Sequence, residues 1–430
     1  MAPSARPAGY PLDLVKGGGK IPGFVTLASR IAGAFGHIAA DRLAEGLGKA
    51  LPRTAAQLAR PEAVDELIRR GTPVGQIPLP PVREVSLPGI EFESSNCSNF
   101  LIDVAFESSS DFESGAGRAQ PLPKTLYAKL PCEELGTRAF ANAVGFWAVE
   151  ATFCERIAAQ VPIRVPRVYA VAQRGARFVL LLENLQEVPG ARLFINRDMA
   201  AGTTPDRSRM CLTTFAELHA AFWGLEAAAR EALLPIRLHP FLAPGGRAMT
   251  RALNAAAIAP AHKAAPDLFE KRHVEICRLA IEKWDALIAS WYSEPLTLIH
   301  GDSHLANCFE YRTPEGPRMG LIDFQGLQWC QGIRDVQYHL INSLEPDVLA
   351  EHEDELIDHY VAELAGHGIE LAAREAREQY RALSFQALMV AVVSIGLGSL
   401  TERDATVRTV LRRSVAAIDR LGFREWLEGL

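Results

Sequence analysis

Two short apolar runs in the last third of the chain are each followed directly by polar residues. Residues 298–302 read Leu-Ile-His-Gly-Asp, with Asn307 five positions after the aspartate, and residues 319–323 read Met-Gly-Leu-Ile-Asp. Between them lies the segment 313–317, Thr-Pro-Glu-Gly-Pro, which is typical of a turn. The pattern predicts a hairpin that returns the second run, so that its terminal acid lies beside Asn307.

The side chains of Asp302, Asn307 and Asp323 suit a magnesium-dependent reaction on a nucleotide triphosphate. Mg²⁺ prefers near-octahedral oxygen coordination and is usually held by one or two carboxylates together with substrate phosphates. The step of five residues from Asp302 to Asn307 is also the step from Asp to Asn in the catalytic loop of protein kinases. We predict that Asn307 and Asp323 bind the metal while Asp302 faces the hydroxyl that attacks.

Two histidines of the same segment are assigned supporting roles. His300 stands at the end of a predicted strand, and we expect it to orient the loop rather than to react. For His304 two interpretations stay open: contact with a phosphate, metal-bound water or acceptor, or a hydrogen bond that supports the loop. Gln325 and Gly326 are expected to shape the turn after Asp323.

These motifs resemble those of the aminoglycoside phosphotransferase and choline kinase superfamily of protein-kinase-like enzymes, over residues 85–425. Leu-Ile-Asp-Phe-Gln at 321–325, followed by Asp-Val-Gln-Tyr at 335–338, is most similar to the ecdysteroid kinase-like branch. The resemblance implies that Asp302 is the catalytic base and that Asp335 is a buried acid bracing the catalytic loop. It also implies an α+β, bilobal protein-kinase-like fold with a small antiparallel-sheet lobe and a large, mostly helical lobe.

A kinase-like small lobe needs a strand lysine that pairs with the α- and β-phosphates and a helix glutamate that holds this lysine. Lys129 lies in the strand-like segment 126–130, and the predicted helix 146–157 carries Glu150 and Glu155. The family pattern, a glutamate three residues before an aromatic, selects Glu150. Lys129 taken alone would be interpreted as the edge lysine of a strand, and the downstream catalytic loop is what favours the pair.

The segment 178–185 reads as a buried strand that ends in polar residues, as expected of the hinge between two kinase lobes. We predict that its last backbone groups bind the adenine edge of ATP; these belong to Glu183, Asn184 and Leu185.

The predicted phosphate-covering loop departs from the protein-kinase pattern, which uses glycines so that backbone N–H groups approach the phosphates. The candidate loop 93–100 has no glycine, and none occurs between Glu91 and Gly115. Serine and asparagine tolerate turns and offer side-chain donors. The loop residues assigned to phosphate binding are Ser95, Asn96 and Ser98.

Composition limits the partners. A net charge of −6 without a basic stripe argues against nucleic acid as a partner. The seven cysteines are scattered, with no pair at metal or redox spacing, which favours reduced thiols in a cytoplasmic protein. No signal-peptide pattern stands out, and the apolar segment 387–400 is shorter than a membrane span and is expected to be a buried helix.

The chain divides into three predicted parts: a helical N-terminal extension (1–78), a small nucleotide-binding lobe (82–185) and a large catalytic and acceptor-binding lobe (186–430), with a proline-rich linker at 73–81. The segment 24–51 has helical periodicity, and its apolar positions on one side are Ile31, Phe35, Ile38, Leu43 and Leu47. Packing of this side on the small lobe or on a second subunit is one interpretation. Shallow membrane association is the other.

The predicted activity is ATP- and Mg²⁺-dependent transfer of the γ-phosphoryl group to a hydroxyl of a small molecule. The resemblance favours a lipophilic or steroid-like alcohol, for which Trp223, Trp291, Tyr292 and Trp329 would suit an apolar pocket. The acidic run 345–363 would suit a cationic acceptor, although such a run on a helix is usually a solvated face.

Two alternatives stay open. One is a catalytically silent nucleotide-binding protein of the same fold. The other is a metal-dependent hydrolase with His300, Asp302, His304 and Asp323 as metal ligands. The hydrolase leaves Asn307, Lys129 and Glu150 without a function.

Overall fold

The computed structural model describes residues 23–71, 79–92, 94, 96–107, 122–398 and 405–430. Their contacts divide into two compact units. We call residues 30–160 and 165–188 the sheet unit, and residues 23–29, 161–164 and 189–430 the helical unit. The three-part division at 1–78, 82–185 and 186–430 stays a prediction. The predicted linker lies largely outside the described residues.

The sheet unit is built from one antiparallel sheet and a set of short helices. Its described helices are α1 (Phe24–Gly46, which begins in the helical unit), α2 (Ala55–Leu58), α3 (Pro61–Gly71), α4 (Leu135–Val144) and α5 (Phe146–Thr152), the last continued by a π-helical turn (Phe153–Ile157). Its strands are β1 (Val82–Ser86), β2 (Glu91–Phe92), β3 (Cys97–Phe106), β4 (Thr125–Pro131), β5 (Val168–Arg174) and β6 (Arg177–Glu183). The strand order is β1-β3-β4-β6-β5, and β2 also pairs with β3.

Helix α3 covers one face of this sheet. Val64, Leu67 and Ile68 recur at the spacing that places side chains on one side of a helix, and all three are buried in the core of the unit. They share this core with strand residues such as Ile102 and Leu181. Part of the predicted N-terminal extension is therefore integral to the sheet unit.

The part of α1 that belongs to the sheet unit packs through one side, but not the whole side that the sequence predicted. Ala34 and Ile38 are buried against α4, and the buried Asp41 accepts a hydrogen bond from the Ala176 N–H (2.9 Å). Leu43 and Leu47 were expected on this side, yet they are 74% and 72% exposed. The side of α1 that makes contacts carries positions 34, 38 and 41. Residue 43 lies about 200° around the helix from residue 41, and therefore on the opposite side.

The helical unit carries the remaining elements. Its helices are α6 (Asn196–Ala201), α7 (Pro205–Ala221), α8 (Ala227–Leu233), α9 (Gly246–Ala264), α10 (Lys271–Glu282), α11 (Trp284–Trp291), α12 (Ile333–Ser343), α13 (Pro346–Gly366), α14 (Ala373–Leu383), α15 (Phe385–Leu397), α16 (Ala405–Arg420) and α17 (Phe423–Glu428). Its strands are β7 (Arg192–Leu193), β8 (Thr297–Ile299), β9 (Cys308–Thr313), β10 (Gly316–Leu321) and β11 (Gln328–Cys330). The predicted α+β class, with an antiparallel sheet in one unit and mostly helices in the other, is confirmed.

The predicted hairpin is present. Strands β9 and β10 pair antiparallel, with Thr313 opposite Gly316, so that Pro314 and Glu315 form a two-residue turn. Strand β8 pairs with β11, and the chain between β8 and β9 forms the loop that begins at His300. These two ladders fix the ends of the segments that carry the predicted catalytic residues.

Two of the aromatic residues proposed for an acceptor pocket are core residues instead. Trp291 is fully buried and its indole N–H donates to the Ala382 carbonyl (2.7 Å), while Trp329 is 2% exposed and donates to the Leu234 carbonyl (3.1 Å). Tryptophan is usually found with this N–H paired when it is buried. Trp223 and Tyr292 are partly exposed.

The acidic run falls on α13, where several of its carboxylates are already paired with arginines. Glu353 binds Arg420 through both oxygens, and Asp358 forms an ion pair with Arg377 (2.8 Å). Glu355 forms an ion pair with Arg209. This pairing favours an ion-paired surface over a binding site for a cationic acceptor.

His239 gives the helical unit a pH-dependent contribution to its stability. The ring is 3% exposed, Nδ1 accepts hydrogen bonds from the N–H groups of Phe241 and Leu242, and Nε2 bonds the Trp329 carbonyl (2.9 Å). Burial lowers the pKa of His239 from 6.5 to about 4. The unfolded chain therefore binds a proton at higher pH than the folded chain does, and stability falls as pH drops from 6.5 to 4.

We expect the His239→Gln variant to lose part of this pH dependence. The wild-type contribution amounts to about 3 kcal/mol over the full window. The measurement is the free energy of unfolding in urea at pH 6.5 and 4.5. Replacement of the exposed His367 by Gln serves as the control and should leave the wild-type difference intact. Equal pH dependence in the His239→Gln variant and the wild type would contradict the assignment.

Within the described residues, one helical stretch, Ala373–Leu397, is long and apolar enough by composition to cross a membrane. Of its most apolar segment, 67% is buried inside the protein, and a core helix passes the same test. The stretch joins α14 and α15 and includes the predicted buried helix as far as residue 397.

Candidate active site

His300 links the two polar segments that the sequence singled out. Its ring is fully buried at the end of β8. Nδ1 accepts a hydrogen bond from the Asp302 N–H (3.3 Å), so the proton is on Nε2, which donates to the Ile322 carbonyl (2.9 Å). The ring thus ties the loop after β8 to the end of the β9–β10 hairpin.

Asp302 and Asn307 are in direct contact. The Asn307 Nδ2 group donates to the backbone carbonyl of Asp302 (2.8 Å) and to its Oδ2 (3.0 Å). With its amide nitrogen directed at these two oxygens, Asn307 is left with Oδ1 as a free acceptor on the other side. The 3₁₀ turn Leu305–Asn307, closed by the Asn307 N–H to the His304 carbonyl (2.9 Å), sets this orientation.

Asp323 is held beside Asn307 in an unusual backbone conformation. The preceding residue, Ile322, donates its N–H to the Asn307 carbonyl (3.0 Å). Asp323 itself has φ +62°, and it is the only non-glycine residue with positive φ in the described part of the chain. Such strain persists only when the surroundings impose it, and it is concentrated at functional sites.

Asp335 braces the loop from α12. Its carboxylate is fully buried and accepts hydrogen bonds from the N–H groups of His300 (2.6 Å) and Gly301 (2.9 Å). It is also 3.2 Å from Nε2 of His219, whose Nδ1 is 2.8 Å from the Tyr360 hydroxyl. Burial raises the pKa of Asp335, but the hydrogen bond and charge of His219 outweigh it, so the pKa lies below its usual range. His219 is thus a paired core histidine.

Further residues of α12 contact the same loop, and the sequence reasoning missed them. Arg334 donates to the Gly301 carbonyl (3.1 Å) and lies over the Tyr338 ring (4.4 Å), while His339 bonds the Ser303 carbonyl (3.0 Å). Positions 334, 335, 338 and 339 have the spacing of one helix face. With Asp335 assigned to the loop, this spacing would have predicted that Arg334, Tyr338 and His339 face the loop as well.

His304 lies next to the predicted base. Its Nε2 is 3.6 Å from Oδ2 of Asp302. Desolvation raises the pKa of Asp302, but the nearby His304 outweighs it and holds the pKa well below its usual range. Desolvation likewise opposes protonation of His304, and the Asp302 charge overrides it, so the pKa of His304 is raised. This contact supports an ionised Asp302, and both interpretations of His304 stay open.

Gly301 is required by the close approach of two loops. It has φ +81°, and a Cβ at this position would lie 1.9 Å from the Gly326 carbonyl oxygen.

We expect Gly301→Ala to destabilise the protein by about 3 kcal/mol, from backbone strain and the clash together. Chemical denaturation of the wild type and the variant measures this loss in the free energy of unfolding. As a control, Gly33→Ala in α1 meets no atom within 4 Å and should be neutral or stabilising. Equal stability of the two variants would contradict the packing described.

The predicted lysine and glutamate form a pair inside the sheet unit. Nζ of Lys129 on β4 lies 2.8 Å from each carboxylate oxygen of Glu150 on α5. Both side chains are buried, at 3% and 4% exposure. Glu155, the glutamate that the family pattern rejected, is exposed. Burial removes water from both charges, and the contact of the Lys129 ammonium with both Glu150 oxygens offsets this desolvation cost.

The predicted adenine-binding segment ends β6. The carbonyls of Asn184 and Leu185 accept hydrogen bonds from Glu187 and Val188 within a 3₁₀ turn. The Asn184 side chain bonds Thr125 Oγ1 (2.7 Å). Glu183 pairs with Arg167 through its own N–H and its carboxylate. The backbone therefore adopts a defined turn at these positions.

The predicted phosphate loop is only partly described. Ser95 lies outside the described residues. Asn96 directly precedes β3, and its carbonyl accepts from the Cys132 N–H (3.4 Å). Ser98 is the second residue of β3 and pairs opposite Leu130 on β4, so it lies in a strand rather than in a loop. The sequence misplaced it because β3 begins earlier than the turn-forming residues indicated.

The two predicted metal ligands, Asn307 and Asp323, fit magnesium better than a transition metal. They offer an amide and a carboxylate oxygen, which hard cations prefer. Among the described residues, the only group of three or more His, Cys, Asp or Glu ligand atoms within 4.8 Å of one another lies elsewhere, at Cys211, Cys308 and His339. The four ligands required by the hydrolase alternative are therefore not gathered into such a group.

The α+β fold and the loop that carries Asp302 and Asn307 place this chain in the class of kinase-like phosphotransferases that act on small molecules. More narrowly, the chain belongs to the ecdysteroid kinase-like family, whose profile matches residues 151–372, just over half of the chain. The predicted family is thereby confirmed. No curated protein sequence matches the chain.

Several solved structures are similar to this chain. A protein from Ralstonia eutropha, named as a candidate aminoglycoside phosphotransferase, is 14% identical over 85% of this chain and 98% of its own, with a TM-score of 0.46. Plasmodium vivax ethanolamine kinase is 13% identical over 79% and 84%, with a TM-score of 0.44. A choline/ethanolamine kinase family protein from Mesorhizobium loti is 15% identical over 73% and 93%, with a TM-score of 0.39.

Proposed function

We propose that this protein transfers the γ-phosphoryl group of ATP to a hydroxyl group of a small molecule in the presence of Mg²⁺. The observation that carries the proposal is the contact between Asp302 and Asn307. The Asn307 Nδ2 group donates to Oδ2 of Asp302 (3.0 Å), so the two side chains are held together in one short loop while the Asn307 Oδ1 stays available to a metal. In the proposal, the Asp302 carboxylate faces the acceptor.

Asn307 and Asp323 are the residues that would hold the magnesium ion. The backbone bond from the Ile322 N–H to the Asn307 carbonyl (3.0 Å) holds the residue before Asp323 against Asn307. When bound, Mg²⁺ neutralises negative charge on the phosphate oxygens. The strained backbone at Asp323 fits a role as metal ligand, because strain of this kind lowers local stability and is found where a functional side chain must be held in one orientation.

Asp302 is the proposed base. Its ionised state is supported by His304, and its position by the His300 ring and the backbone contacts of Asp335. It would accept or orient the proton of the acceptor hydroxyl. Phosphoryl transfer needs mainly positioning and charge stabilisation, and covalent participation of the protein is unnecessary.

Lys129 and Glu150 of the sheet unit are the further residues to which the proposal gives a role. Glu150 holds the lysine ammonium with both oxygens, which limits its motion. Lys129 would then contribute positive charge to the α- and β-phosphates of ATP.

The proposed acceptor is a lipophilic or steroid-like alcohol. Membership of the ecdysteroid kinase-like family supports this class. The arginine pairing of Glu353, Glu355 and Asp358 on α13 supports it indirectly, because these carboxylates are already neutralised and less suited to bind a cationic acceptor.

The test is incubation of the purified chain with ATP, Mg²⁺ and a panel of steroids, aliphatic alcohols, amino alcohols and amino sugars. Mass spectrometry then identifies phosphate esters. We expect an ester that forms only with both ATP and Mg²⁺, and preferentially on a lipophilic alcohol. ATP-dependent thermal stabilisation without any ester across the panel would favour the catalytically silent alternative.

A further inference from the structure

The structure brings together three soft ligands that lie far apart in the sequence. Cys211 is on α7, Cys308 begins β9 and His339 is on α12. Their sulfur and ring-nitrogen atoms all lie within 4.8 Å of one another, and all three side chains are fully buried. Thiols and imidazole are the ligands that Zn²⁺ prefers.

The hydrogen bonds of His339 leave Nε2 as the ring nitrogen that can bind a metal. Its Nδ1 lies 3.0 Å from the Ser303 carbonyl oxygen, which can only accept, so Nδ1 carries the proton. Nε2 is then a lone-pair donor, 3.2 Å from the Ser208 hydroxyl. Histidines that bind metals almost always donate their other N–H to a carbonyl, carboxylate or water in this way.

Charge selects the kind of ion. Two thiolates and one neutral imidazole carry a charge of −2, so a divalent ion gives a neutral complex. A monovalent ion would leave a net charge in a site without solvent exposure, and a buried unpaired charge is costly. The cluster therefore favours a divalent thiophilic ion over Cu⁺.

We propose that Cys211, Cys308 and His339 form a zinc site. On binding, two S–Zn bonds and one N–Zn bond replace two S–H bonds and bonds between the ion and water, and the two thiol protons and the displaced waters are released to solvent. The Ser208 hydroxyl, one turn before Cys211 on α7, offers an oxygen for the fourth position. This site is separate from the proposed magnesium ligands and does not depend on the proposed function.

The site would fasten the catalytic loop at two points. Cys308 directly follows Asn307 and its thiol also lies near the His304 carbonyl (3.6 Å), while His339 holds the Ser303 carbonyl. An ion at this position connects β9 and α12 to α7 behind the loop. It stabilises the folded chain if it binds the unfolded chain less well.

The test measures metal content and spectra of the full-length chain. The protein is produced in zinc-supplemented medium under reducing conditions, and separately with Co²⁺ as a spectroscopic substitute for zinc. We expect about one zinc per chain by mass spectrometry of metals, a cobalt–thiolate charge-transfer band in the near ultraviolet, and a higher Tm than in metal-depleted protein.

Variants assign the site to these residues. Cys211→Ala and Cys308→Ala should each lower zinc content and abolish the cobalt band. Cys277→Ala is the matched control, because Cys277 is buried in the same unit yet belongs to no such group among the described residues. Since Cys211 and Cys308 lie on different elements, failure of one variant to fold leaves the other informative.

Three results would overturn the proposal. The first is zinc content far below one per chain in supplemented protein. The second is a cobalt band that survives both cysteine variants. The third is loading by Cu⁺ alone. None of these measurements involves ATP, so failure of the phosphotransfer proposal would leave this test intact.

Discussion

An Asp302→Asn variant is expected to transfer phosphoryl groups about 10²–10⁴-fold more slowly than the wild type, the range that a positioned general base contributes. The substitution removes the carboxylate charge while an amide oxygen can still accept from Asn307 Nδ2. The fold and nucleotide binding should therefore be retained. Initial rates of ester formation and the Kd for ATP with Mg²⁺, measured in parallel, separate the two effects.

Glu351→Gln is the control for this experiment, because Glu351 is exposed on α13 of the same unit. It should keep the wild-type rate. Near-normal turnover by Asp302→Asn would show that Asp302 is not the base. A parallel loss of ATP binding would assign the residue to nucleotide binding instead.

An Asp323→Asn variant is expected to lose the magnesium dependence of ATP binding. The substitution removes the negative charge of Asp323, the charged one of the two proposed metal ligands, and asparagine tolerates the left-handed backbone that Asp323 adopts. We expect ATP affinity in Mg²⁺ to fall on the order of 10–100-fold, as for other losses around a metal site. Calorimetric titration with ATP in Mg²⁺ and in EDTA measures the change.

Binding of ATP in EDTA serves as the internal reference for Asp323→Asn and should be nearly unchanged. If the variant gains as much affinity from Mg²⁺ as the wild type does, Asp323 is not a metal ligand. If affinity falls equally in both conditions, the substitution has damaged the site generally.

The parts of the site that could be predicted are those in which one short segment carries both the residues and the geometry. The turn at 313–317 predicts the β9–β10 hairpin because proline and glycine act locally. Asp302 and Asn307 lie on one short loop that ends in a 3₁₀ turn, and their side chains meet within it. Glu150 was selected over Glu155 by a local pattern, and it is the one that contacts Lys129.

The parts that could not be predicted depend on contacts between distant segments. Nothing local indicates that Cys211 and Cys308 meet, because helix α7 and strand β9 are brought together only by tertiary packing. The contact side of α1 is decided by its partner: the buried Asp41 reaches the Ala176 N–H, and this leaves Leu43 exposed. Periodicity defines an apolar side but not the neighbour that covers it.

Transfer of label from ATP is the most direct test of the account. The wild type and Asp302→Asn are incubated with Mg²⁺, ATP carrying ¹⁸O in its γ-phosphoryl group, and a metabolite extract containing lipophilic alcohols. Phosphate esters bearing the label should form with the wild type and be nearly absent with the variant. Label found only in inorganic phosphate, or equally in esters from both proteins, would contradict the account.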